Sequence, residues 1–128
     1  MAGKKILIVD DEEEILQLLE IELSSEGYEV VTAMDGDEAV QKARKVLPDL
    51  ILMDILMPTV SGPEAVKQLK SDSLTKKIPV IFLTAILTKE EENETQLGVE
   101  VDLSRYPAIS KPFDPQELLR KVRQFIAA

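Results

Sequence analysis

Asp54 is the one charged residue in the run LILMDILMP, residues 50–58. An ionised carboxylate among apolar side chains is costly unless a partner or a cation compensates it. Similar punctuation recurs along the chain. The apolar run ending at Val9 is followed by Asp10, Asp11 and Glu12, the run ending at Leu83 by Thr84, and Lys111 stands before Pro112 and Phe113. Carboxylates converging without histidine or cysteine make a hard-oxygen site, suited to Mg2+ rather than zinc or copper. A hydroxyl and an ammonium beside them are groups that bind phosphoryl oxygens. Each residue also has a plainer reading: Asp10 or Asp11 as a helix cap, Asp54 and Thr84 as partners for loop backbone, Lys111 as a surface charge. Their joint placement after successive apolar runs favours the site.

Those runs need a scaffold that carries them to one edge. In residues 5–9 (KILIV) the run after Lys5 is continuously apolar, as in a strand covered on both faces. Ile15, Leu18, Leu19 and Leu23 recur at helical spacing over 13–26, and Gly27 supplies a stop. A second strand is expected over 28–33. Asp35 and Glu38 form an acidic cap for a helix striped by Ala39, Val40, Ala43, Val46 and Leu47, closed by Pro48. The third strand is expected over 49–53, a helix opened by Ser61 and Glu64 through about Leu69, and the fourth strand over 78–83. Residues 89–97 read as a weakly amphipathic acidic helix. Asp114 and Glu117 open the last helix, with Leu118, Leu119, Val122, Phe125 and Ile126 on one face. Such alternation implies βαβ units: an α/β fold with a central parallel sheet and helices on both faces. Ligands bind such sheets beyond the carboxyl ends of the strands, at the switch in strand order.

Composition narrows the function classes. The 128 residues fit one domain, with no repeat, low-complexity tract or linker. No apolar run approaches the roughly 18–20 residues that span a bilayer, and the start turns acidic too early for a signal peptide. Without cysteine there is no disulfide and no thiolate ligand or nucleophile. Without histidine there is no His-based triad, imidazole zinc site or phosphohistidine on this chain. A formal charge of −9 argues against nucleic acid and anionic membrane as partners and suits a cation or a basic protein surface. The expected location is cytoplasmic.

Taken together, IVDDE (residues 8–12), MDILMP (53–58) with Gly62 after it, LTA (83–85) and KPF (111–113) resemble the receiver domain of two-component response regulators, over nearly the whole chain. The expectation is a chemotaxis-regulator-like receiver domain over residues 1–128, either standing alone with no output domain or belonging to a longer protein. The resemblance implies a flavodoxin-like (βα)5 fold with five parallel strands in the order 2-1-3-4-5. It also implies that Asp54 accepts a phosphoryl group from the phosphohistidine of a sensor histidine kinase or phosphotransfer protein. Asp11 would ligate Mg2+ directly, with Asp10 assisting through water, and Asp54 and the Leu56 carbonyl completing the protein ligands. Thr84 and Lys111 would bind phosphoryl oxygens, and a cis Lys111–Pro112 peptide would aim the ammonium. The domain would not be a turnover enzyme. It would signal to a downstream protein by changed docking, as a monomer or weak homodimer. Leu56 and Ile86 would flank the route of water to the phosphoryl group, and being apolar would slow its hydrolysis.

Three other readings compete. A flavin- or nucleotide-binding module on the same fold would want a glycine-rich loop where VDDEEE stands. An aspartyl phosphatase would want a second acid two residues past its nucleophile, where Leu56 stands. A degenerate receiver, acting as a phosphorylation-independent interaction module, draws support from residues 99–110. Family members usually carry a Gly-Ala turn about seven residues before the lysine and an aromatic three before it. Here Gly98 lies earlier and Ala108 holds the aromatic position. Tyr106, of the same strand parity, is expected as a surface residue or a partial substitute.

Overall fold

The computed structural model describes residues 3–55, 57, 60–85, 106–111 and 114–126, and of Thr84, Ala85, Ser110 and Lys111 the backbone alone. In chain order the elements are β1 (Lys5–Val9), α1 (Glu13–Ser25), β2 (Glu29–Ala33), α2 (Gly36–Val46), β3 (Leu50–Asp54), α3 (Gly62–Lys70), β4 (Val80–Ala85), β5 (Ala108–Lys111) and α4 (Pro115–Phe125). Every strand pair is parallel, and the sheet order is β2-β1-β3-β4-β5. This is the order that the receiver resemblance implies. The helix expected over 89–97 lies outside the described residues.

Strand alternation divides the core in two. Ile6, Ile8, Leu50, Leu52, Ile81, Leu83 and Ile109 pack with α1 and α4. Leu7, Val9, Ile51, Met53, Val80 and Phe82 pack with α2 and α3. Burying one such side chain is worth about 1.5–3 kcal/mol, so a one-residue slip of register would forfeit the packing of both faces.

The caps follow the local chemistry. Asp35 accepts from Glu38 N at 2.8 Å, Ser61 from Glu64 N at 3.3 Å and Asp114 from Gln116 N at 3.0 Å. Gly27, at φ +93°, ends α1: its N–H bonds Ser24 O, and Tyr28 N bonds Leu23 O. The Tyr28 hydroxyl then donates to Ile126 O at 3.0 Å, tying the start of β2 to the end of α4.

Some apolar positions fall elsewhere than expected. In α1 the buried residues are Leu16, Leu19 and Leu23, while Leu18 is 44% exposed. Two positions on a helix differ by about 200°, so Leu18 and Leu16 cannot face the same sheet. Leu47 and Phe125 are also exposed. Leu47 has left the helix, at φ 50°. The fourth strand begins two residues later than expected, because Ile78 N turns back to Thr75 O and Pro79 O receives Ile51 N.

Candidate functional site

The strand register lines up the polar residues singled out from the sequence. Val9 pairs with Met53, so Asp10 and Asp54 follow side by side on neighbouring strands. Asp54 pairs with Leu83, Thr84 with Ser110, and Ala85 with Lys111. Asp54, Thr84 and Lys111 therefore occupy the carboxyl ends of three adjacent strands, with about 4.8 Å between strands. Asp10 N donates to Ala33 O, extending the ladder by one residue. Alternation then puts Asp10 on the side of Ile6 and Ile8, and Asp54 on that of Leu50 and Leu52.

Both acids are withdrawn from water: Asp10 is fully buried and Asp54 is 6% exposed. The backbone clamps each of them. Asp10 Oδ1 accepts from Glu12 N at 2.9 Å, which fixes the turn leading into α1. Past Asp54 the chain doubles back: Ile55 N bonds Leu83 O, and Gly62 N bonds Ile55 O. A Cβ on Gly62 would run into the carbonyl oxygen of Asp54. Only glycine allows α3 to start so close to the strand end.

Among the described residues, Asp10, Asp11 and Glu12 each bring a carboxylate oxygen within 4.8 Å of the others. This all-oxygen set fits a hard divalent cation, and a buried, anchored Asp10 beside exposed Asp11 gives the set a fixed side and an accessible side. Glu12 was not among the ligands expected from the sequence. Its signal was the unbroken acidic run after β1, in which Glu12 also serves as the flanking residue of α1, without a side-chain cap bond. Leu56, Ile86 and Pro112 lie outside the described residues, so the Leu56 carbonyl, the water route and the Lys111–Pro112 peptide do too.

Tyr106 is not a simple surface residue. Its ring meets Phe82 edge-on, with centroids 5.4 Å apart and planes at 78°, and it packs against the α2/α3 side of the core. Phe82 N donates to Pro107 O, and Phe82 pairs with the exposed Ala108. The aromatic thus sits one strand repeat earlier than the position that Ala108 holds.

The Response regulator receiver domain family matches residues 6–123. The chain belongs to that family. It is 43% identical over 124 residues to the alkaline phosphatase synthesis transcriptional regulatory protein PhoP of Bacillus subtilis, covering 97% of this chain and 49% of that protein. The chain therefore spans about half the length of that relative. Among solved structures, the receiver domain of sensor histidine kinase PA1611 from Pseudomonas aeruginosa, with a magnesium ion coordinated in its active site cleft, matches with a TM-score of 0.83 at 33% identity, covering 99% of this chain and all of that one (100%). The Vibrio cholerae chemotaxis protein CheY4 matches with a TM-score of 0.82 at 35% identity over 98% and 100% of the two chains. This receiver is thus a component of two-component signalling by family, with the flavodoxin-like arrangement that its strand order already displays. No helix among the described residues is long and apolar enough to cross a membrane.

Proposed function

We propose that this receiver takes a phosphoryl group from a phosphohistidine onto Asp54. The observation that carries the reading is the row of strand ends: buried Asp54 beside buried Asp10, with Thr84 and Lys111 ending the next strands. A carboxylate oxygen of Asp54 attacks the phosphorus in line. The phosphorus–nitrogen bond breaks as the new phosphorus–oxygen bond forms, and the electron pair stays on the departing imidazole. Asp10, Asp11, Asp54 and the Leu56 carbonyl are the residues that would hold Mg2+, which when bound supplies positive charge against the phosphoryl oxygens. Lys111 adds a second cation there and Thr84 a hydroxyl donor. Asp54 enters this chemistry positioned: the Gly62 and Ile55 contacts hold the strand end, so little ordering remains for the reaction step.

In this reading the domain assists its own modification and is not a turnover enzyme. Its partners are a sensor histidine kinase or phosphotransfer protein and a downstream protein whose docking changes with the charge on Asp54, all in the cytoplasm. A phosphotransfer screen tests it: purified kinases carrying radiolabelled phosphohistidine are mixed with the receiver in Mg2+ buffer. Transfer of label from at least one kinase, absent with Asp54→Ala, is the expected result.

A further inference from the structure

We infer that the surface joining the end of α2 to the turn after α3 docks an acidic segment of another protein that carries aliphatic side chains. Two large hydrophobic residues stand out in water here, Leu47 at 48% exposure and Leu74 at 57%. Neither belongs to either half of the core. One carboxylate fixes their relation. Asp72 Oδ2 lies 2.8 Å from Arg44 Nε, three residues before Leu47, and Asp72 Oδ1 accepts from Leu74 N at 2.9 Å. The turn is also tied down on its inner side. The buried Thr75 hydroxyl donates to Leu69 O at 2.7 Å, and Lys70 Nζ donates to Lys76 O and Ile78 O. Leu74 is therefore presented by an ordered turn, which lowers the ordering cost of a contact. Leu47 stands at φ 50°, at a helix end where glycine is the usual residue.

The charge around the two leucines is opposite to that of the chain. Residues 42–49 and 67–77 hold seven of the fifteen cations and only two of the twenty-four acids. Both acids are engaged: Asp49 accepts from Lys5 N at 2.8 Å, and Asp72 holds Arg44. Cations in the last turns of α2 and α3 have an ordinary use against the helix dipoles. Lys76 and Lys77 are exposed beyond both helices, where that use does not reach. A positive, partly apolar patch on a chain of net charge −9 complements a short acidic segment. A membrane or nucleic acid, negative over a wide area, would meet the repulsion of the whole chain. A short segment feels little beyond a Debye length of roughly 8–10 Å. The patch flanks the amino ends of β3 and β4, roughly 15 Å along the strand from Asp54. Docking there leaves the candidate phosphoryl site uncovered.

Fluorescence anisotropy tests this with a labelled synthetic peptide of glutamate, alanine and leucine, its leucines at helical spacing. The comparison probes are a copy with lysine in place of glutamate, and vesicles of phosphatidylglycerol. The acidic peptide should bind about tenfold more tightly than the lysine copy or better, and more weakly as salt rises. Leu74→Ser, Leu47→Asn and Lys76→Glu/Lys77→Glu should each weaken that binding by about tenfold. Asparagine at position 47 tolerates the left-handed backbone. The charge-reversed variant should prefer the lysine peptide instead. All four positions are exposed, so the fold does not depend on them, and each variant stands in for the others. Equal binding of the two peptides by wild type would overturn the inference. So would binding that none of the variants weakens, or attachment to the vesicles without binding of the acidic peptide.

Discussion

Gly62 abuts the carbonyl oxygen of Asp54 so closely that a single added carbon would overlap it. The residue opening α3 and the residue closing β3 are in this way one mechanical unit. Gly62→Ala should therefore displace the strand end, costing about 1–3 kcal/mol of stability as overpacking does. It should also slow phosphorylation, though Gly62 carries no reacting group. Urea denaturation and the initial rate of phosphate uptake measure the two effects. A stable Gly62→Ala protein with wild-type uptake would show that the contact positions nothing.

Tyr106→Ala should destabilise the domain by the lost burial plus about 1 kcal/mol for the edge-to-face pair with Phe82. Tyr106→Phe should retain most of that. If Tyr106 also relays the state of the site, the alanine variant alone will bind the downstream partner equally in both phosphorylation states. Equal stability of all three proteins would contradict the packing argument.

Burial raises the Tyr28 hydroxyl above its ordinary value of 10.0, with Arg123 opposing and Glu26 reinforcing the shift. A raised folded-state pKa favours the neutral hydroxyl. Its contribution is thus complete below pH 10 and is lost as pH climbs through the folded value. Tyr28→Phe should cost about 1 kcal/mol at neutral pH, because Ile126 O loses its donor. It should also flatten the alkaline fall in stability above pH 10. A wild-type alkaline profile in Tyr28→Phe would assign that fall to other groups.

Calorimetric titration with Mg2+ separates the acids after β1. Asp11→Asn should weaken binding most, and Asp10→Asn by about 10–100-fold, as for a group that acts through an intervening ligand. Glu12→Gln should have the smallest effect. A loss for Glu12→Gln equal to that for Asp11→Asn would make the trio of residues 10–12 the donor set.

The parallel strands and the edge that carries the candidate residues were readable because two signals coincide, whereas the strand order came only from the family resemblance. Apolar runs such as Ile6–Val9 demand burial on both faces, and a polar residue after each run marks its carboxyl end. Residues whose neighbours come from distant sequence were harder to place. In α1 the expected stripe Ile15/Leu18/Leu19/Leu23 keeps Leu19 and Leu23 buried with Ile15 packed beside them, but contact with the sheet takes Leu16 in place of Leu18. Tyr106 looked exposed because nothing local announces Phe82, and β4 started later than its apolar run because the ladder to β3 begins at Val80. Glu12 stands beside Asp10 and Asp11 without having been singled out, since an acidic helix start has an ordinary electrostatic use.

Intact-mass spectrometry decides whether Asp54 is the phosphoacceptor. Wild type and Asp54→Ala are incubated with a small phosphodonor in Mg2+ buffer, with and without EDTA. Wild type should gain one phosphoryl group with Mg2+ and lose that gain with EDTA, and Asp54→Ala should gain none in either condition. An Asp54→Ala protein that gained phosphate as wild type does would contradict the assignment to Asp54.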